Sequence, residues 1–195
     1  MSAIDDVIAH LSRLPGIGER TATRLAFYLL RSNPAFRAGL SQSIDRLSEI
    51  HLCRDCFTVT EREVCNICSS PVRNRKVICV VEKPSDIYSI ERMNQYKGMY
   101  HVLHGLLSPL EGVGPQDLKI TELVNRTSKS EFEEVILALS PTAEGDATSL
   151  YVAKLLSHQS TPVSRLAAGL AVGSDLEFAD QITLGKAFEA RMRVR

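Results

Sequence analysis

Four cysteines stand in two pairs, Cys53-Arg-Asp-Cys56 and Cys65-Asn-Ile-Cys68. Two intervening residues turn both sulfurs of a pair toward one point, and two such knuckles complete a tetrahedral thiolate site of the kind zinc takes. With thiolate at all four ligand positions, none stays open for a water, which marks a structural metal rather than a catalytic one. The eight residues between the pairs leave room only for a short hairpin. Two disulfides are the competing reading of this spacing, and against them no secretory signal opens the chain. The fifth cysteine, Cys79, lies in an apolar run and reads as a buried, inert small hydrophobe.

A second constellation is cationic. The turn Leu14-Pro15-Gly16-Ile17-Gly18 joins two helical patterns, so backbone N–H groups at the start of the second helix face outward, where the dipole favours an anion. Gly16 and Gly18 carry no Cβ, which lets a phosphate come close to the backbone. Arg20 and Arg24 lie one turn apart on that helix and Arg13 precedes the turn, so all three can reach one nucleic-acid backbone. Such contact is sequence-neutral, because nothing here is shaped to read base edges. The alternative is a plain helical hairpin used for packing or dimerisation.

A third constellation is acidic. Glu82 ends a β-branched run and Asp86 follows four residues on. Further along, Ser140-Pro-Thr-Ala-Glu144-Gly145-Asp146-Ala-Thr148 follows another strand pattern and opens a helix. Ligand sites of open α/β sheets collect at strand ends, so carboxylates from two of them are expected to converge at one sheet edge. Converging carboxylates suit magnesium. Ordinary dipole partners in a helix's first turn explain the same residues. No Walker loop exists, since Gly185-Lys186-Ala187 lacks both the preceding glycine and the following hydroxyl.

The elements that must hold these groups are legible from periodicity. Apolar residues at helical spacing predict helices over 4–14 and 21–30, and a third from beyond Asn33-Pro34 to about Ile50. After the cysteines the pattern changes: 76–82 is a continuous β-branched run, as a buried parallel strand requires. Strands are predicted at 99–103 and 134–139, and helices near Pro84, over 120–125, near Glu144 and over 184–191. This alternation predicts an α/β domain with a largely parallel sheet. Net charge is zero overall, yet residues 1–76 carry 11 Lys/Arg against 8 Asp/Glu and the remainder 12 against 15. A mildly basic N-terminal part and an acidic site further on follow from that split. No apolar stretch spans a bilayer and no targeting segment precedes the first helix, so a soluble cytoplasmic protein, associated with the nucleoid if it binds DNA, is expected.

Leu14-Pro-Gly-Ile-Gly resembles the helix-hairpin-helix element of DNA-repair proteins. Taken in order with the cysteine quartet, Ile78-Cys-Val-Val-Glu82, Tyr100-His-Val-Leu-His-Gly105, Ser108-Pro-Leu-Glu-Gly-Val-Gly-Pro115, Pro141-Thr-Ala-Glu-Gly-Asp-Ala-Thr148 and Leu176-Glu-Phe-Ala-Asp180, it makes the whole chain similar to the RecR family of bacterial recombination mediators. The resemblance implies a Toprim α/β unit, whose catalytic relatives hold magnesium on a glutamate after the first strand and an Asp-x-Asp pair. Glu82 matches the glutamate, but Glu144-Gly145-Asp146 replaces the pair. Ser140 stands where asparagine is usual, and Ala171 where proline is expected.

Implied domains are a helix-hairpin-helix region at 1–52, a zinc finger at 53–75, a Toprim domain at 76–172 and a C-terminal segment at 173–195. The implied function is a non-enzymatic clamp on single- and double-stranded DNA, a homo-oligomeric ring (tetramer or dimer), that acts with RecO and RecF to load RecA onto gapped DNA. Glu82, Asp86, Glu144 and Asp146 then become a docking surface for RecO. A magnesium-dependent Toprim nuclease or nicking enzyme using Glu82, Glu144 and Asp146 is the rival, and a zinc-finger oligomerisation module without DNA affinity is a third reading. His101 and His104, which flank a strand end, are expected to serve packing or loop hydrogen bonds.

Overall fold

A computed structural model describes residues 2–167, 169–170, 173 and 175–191. The chain separates into two units, residues 1–50 and 51–195. The first is helical: α1 (Ala3–Ser12), α2 (Glu19–Arg31) and α3 (Pro34–Asp45), followed by a 3-10 turn at Arg46–Glu49. The first helix stops at Ser12 rather than 14, and the third gives way to that turn before Ile50. Ala22 and Ala26 are buried on α2, and their small side chains let the helices of the hairpin approach closely. By contrast α3 buries no residue, leaving Phe36, Leu40 and Ile44 on an open apolar face.

The second unit opens with an antiparallel pair, β1 (His51–Leu52) and β2 (Val59–Thr60), and the one-turn helix α4 (Asn66–Ser69). Next come β3 (Val77–Val81), α5 (Pro84–Arg92), β4 (Met99–Val102), α6 (Ile120–Lys129), β5 (Glu134–Ala138), α7 (Ala143–Leu156), β6 (Val163–Arg165) and α8 (Gln181–Glu189). The large sheet is wholly parallel in the order β4-β3-β5-β6. Its register explains the unbroken apolar run in β3. Ile78 and Val80 sit beside Val135 and Leu137 and pack with Leu103, Leu123 and Val152, while Cys79 and Val81 sit beside Tyr100 and Val102 and pack with Ile87.

The edge strand β6 escaped the periodicity, since three residues with one aliphatic carry no alternation. The last helix starts at Gln181, three residues earlier than its apolar pattern, because Asp180 caps it by accepting from the Ile182 and Thr183 amides. Ala171 lies outside the described residues. The chain leaves β3 for β4 on one side and then crosses to β5 on the other, so the C-terminal end of β3 is a topological switch point, and Glu82 occupies it.

Candidate functional site

The cysteine quartet is assembled by two turns. Phe57, at φ +62°, closes the first by donating its amide to Cys53 O at 3.0 Å, and Cys65 caps α4 in the second. All four Sγ atoms lie within 4.8 Å of one another and all four residues are buried. Cys56 and Cys65 Sγ are 3.6 Å apart, near the edge of about 3.8 Å of a tetrahedron of thiolates around zinc, and far from the roughly 2.05 Å of a disulfide. The five cysteines are free thiols, so the disulfide alternative falls away. Two backbone amides already point at sulfur: Cys65 N–H at Cys53 Sγ, 3.3 Å, and Cys68 N–H at Cys65 Sγ, 3.4 Å. Hydrogen bonds from Cys56 and then Cys68 draw the Cys65 thiol downward, and the bond with Cys65 pushes Cys56 upward. A dication bound among the four sulfurs would hold all of them as thiolates. Cys79 is set apart on the other sheet face, where burial raises its thiol to about 12.

The cysteines also share one apolar core with Ile78, Leu103 and Leu118. Val102 N–H donates to Cys56 O at 2.9 Å, and Arg75 reaches Cys68 O at 3.0 Å. His104, at φ +65°, bonds Phe57 O at 2.7 Å, and buried His101 bonds Lys119 O at 2.7 Å. Both histidines therefore serve packing and loops, as expected.

The acidic residues do not converge into a metal-holding set. Among the described residues the quartet of cysteines is the one group of three or more candidate ligands so gathered. Instead the carboxylates have internal partners. Glu82 accepts from Ser140 Oγ at 2.7 Å and pairs with Lys83 Nζ at 2.9 Å. Burial works to raise its carboxyl, but the Ser140 and Lys83 contacts outweigh burial and hold it below the ordinary value. Asp86 accepts the Lys83 amide at 2.8 Å and so caps its own helix. Asp146 is held low by Lys186 on α8, 3.2 Å away, with Arg165 on β6 at 2.7 Å adding to the effect. Glu144 stays exposed in the first turn of α7. Sequence reasoning missed the roles of Ser140, Arg165 and Lys186, which lie far along the chain from their partners. It also missed why Gly145 is needed: a Cβ there would sit 1.9 Å from the Ser140 carbonyl oxygen.

The hairpin places the cationic residues in one unit. Gly16 holds φ +78°, which explains a glycine at that position, whereas Gly18 caps α2 in extended backbone. Arg13, Arg20 and Arg24 are exposed, and none has a carboxylate partner among the described residues. The amides of Glu19 and Arg20, in the first turn of α2, meet no acceptor among the described residues, and they point where an anion is favoured.

Comparison with known proteins matches this order of parts. Residues 4–47 fit the family model for the RecR helix-hairpin-helix, 50–70 that for the RecR four-cysteine zinc finger domain, 76–167 that for the Toprim domain and 169–192 that for the RecR C-terminal part. The Recombination protein RecR of Myxococcus xanthus is 51% identical over 189 residues, covering 96% of each chain. That of Treponema denticola is 46% identical over 194 residues, covering 99% of this chain and all of its own. That of Streptomyces avermitilis is 46% identical over 189 residues, covering 96% of this chain and 95% of its own. With the four sulfurs gathered as zinc requires and the matching finger model, Cys53, Cys56, Cys65 and Cys68 form a structural zinc site.

Proposed function

The chain belongs to the RecR family of recombination proteins, and from that premise we propose that it is a non-catalytic mediator of recombinational DNA repair. It closes around DNA as a homo-oligomeric ring, a tetramer or a dimer, and acts with RecO and RecF to load RecA onto gapped single-stranded DNA. The observation that carries the reading is the hairpin: unpaired Arg20 and Arg24 stand beside open amides at a helix N-terminus, a surface built for phosphates rather than for base edges. Self-association is supported by the apolar groove of about 620 Å3 between α1, α2 and α3, lined by Ile4, Val7, Leu11, Leu29, Leu40 and Ile44. A non-enzymatic role is supported by the internal partners of Glu82, Asp86 and Asp146. Among the described residues no helix is long and apolar enough to cross a membrane. We place the protein in the cytoplasm, at the nucleoid.

The acidic edge, with Glu144 its most exposed member, is the proposed docking surface for RecO. Charge complementarity of this kind governs encounter rate and specificity, so a Glu144→Ala, Asp146→Ala variant is expected to bind RecO more slowly and with weaker salt sensitivity while keeping its DNA affinity. For DNA, Arg20→Ala with Arg24→Ala is expected to weaken binding to unrelated sequences alike and to flatten its salt dependence. Incubation with magnesium and labelled gapped DNA separates the mediator from the Toprim nuclease: turnover abolished by Glu82→Gln would overturn the non-catalytic reading.

A further inference from the structure

The helix that carries Arg20 and Arg24 bears a second feature that phosphate contact does not use. Arg20, Arg24, Phe27, Tyr28 and Arg31 fall within about 100° of the α2 circumference and span about 16 Å along its axis. The helix's acidic residue, Glu19, lies outside that stripe. At its C-terminal half the stripe borders a hollow of about 560 Å3 lined by Arg24, Phe27, Tyr28, Arg31, Asn33 and Phe36, with no carboxylate among its walls. The three rings are 44%, 62% and 49% exposed, an unusual outlay of aromatic surface to water. Tyr28 and Phe36 stand edge to face, with centroids 6.4 Å apart and planes at 82°, so the hollow has two ring walls near a right angle. Arg37 is turned away from ligand duty, its Nη1 capping the end of α2 on the Leu29, Leu30 and Ser32 carbonyls, which fixes the corner between α2 and α3.

From this arrangement we infer that the hollow is a stacking site for an unpaired nucleobase of single-stranded DNA, whose flanking phosphates lie on Arg24 and Arg31. Base-on-ring stacking together with guanidinium contacts is how proteins hold single strands without reading sequence. Paired bases in a duplex have no free face to offer the rings, so the site favours single strands where the hairpin alone does not. A second copy of this chain fits the hollow less well, because the two unpaired arginines call for anionic partners, which a phosphate backbone supplies at every nucleotide. The inference rests on the DNA reading above and adds base contact to it.

The test uses the zinc-loaded full-length protein and three labelled probes: oligo(dT), an abasic strand of the same length and a blunt duplex. Tyr28→Ala is expected to weaken oligo(dT) binding about five-fold or more, while abasic strand and duplex binding stay unchanged. Tyr28→Phe should restore the oligo(dT) affinity. Irradiation of bromodeoxyuridine-substituted oligo(dT) should place the crosslink on the peptide with Phe27 and Tyr28. If Tyr28→Ala weakens all three probes equally, or weakens none while the protein dissociates into smaller species, base stacking is overturned and, in the second case, the rings seat another copy. Unchanged affinity in Tyr28→Ala with loss in the Arg20→Ala, Arg24→Ala protein sinks the stacking site alone; a wild-type protein that binds no probe sinks the DNA reading with it.

Discussion

The Ser140 hydroxyl donates to the Glu82 carboxylate at 2.7 Å, joining the loop beyond β5 to the C-terminal end of the neighbouring strand β3. Ser140→Ala removes one hydrogen-bond donor from a nearly buried carboxylate, so its carboxyl is expected to rise. A depressed carboxyl stabilises the fold above its unfolded value, near 4.5, and that stability is lost as pH falls through the folded value. In Ser140→Ala the acid-side loss should therefore be smaller and end at higher pH, with a cost of about 1–3 kcal/mol at neutral pH. Urea unfolding from pH 7 to pH 3, read beside the wild type, checks both.

Gly145 sustains the same loop from the other side. An added Cβ meets the Ser140 carbonyl oxygen at 1.9 Å, and this neighbour is backbone that cannot swing aside. Gly145→Ala is expected to destabilise by about 1–3 kcal/mol, despite alanine's better helix propensity. A variant as stable as the wild type would show that the loop relocates at no cost.

Those two residues show what the chain discloses locally and what it does not. β3 was legible because Val77-Ile-Cys-Val-Val81 needs burial on both faces, and the zinc site because ligand spacing is short-range geometry. The opposition of Ser140 and Gly145 is tertiary, and glycine in a helix's first turn gives no local hint of it. Asp146 likewise looked free for metal or partner, since its cations are 19 and 40 positions away. β6 was hidden because Val163-Ser-Arg165 pairs on one side of the sheet only, where packing demands little of it.

Zinc removal should be felt beyond the finger. The Cys56 carbonyl accepts the Val102 amide at 2.9 Å, so the end of β4 hangs partly on the metal turn. Chelation is expected to unfold the finger, expose the core it shares with Leu103 and speed hydrogen exchange at Val102. Amides of α2, in the separate helical unit, should keep their protection. Uniform loss of protection over both units would contradict this localisation, and unchanged exchange at Val102 would sever the finger from the strand.

His101 supplies a pH-dependent test of the core. Its ring is buried, edge-on to Phe57 with centroids 5.3 Å apart, and Nε2–H donates to Lys119 O while Nδ1 has no partner among the described residues. Burial lowers its value from 6.5 to about 4, because desolvation of the imidazolium outweighs the Lys119 carbonyl bond and the Glu122 charge that favour it. The sign follows from the neutral form being the folded one: stability is full above pH 6.5 and declines as pH falls toward 4, where the unfolded chain takes the proton first. The difference amounts to roughly 3 kcal/mol once both values are passed. Long-range proton–nitrogen spectra of the zinc-loaded protein should show the His101 ring as a single neutral tautomer at about pH 5.5, and a titration midpoint near 6.5 would mean that the ring is hydrated and the core beneath Phe57 is open.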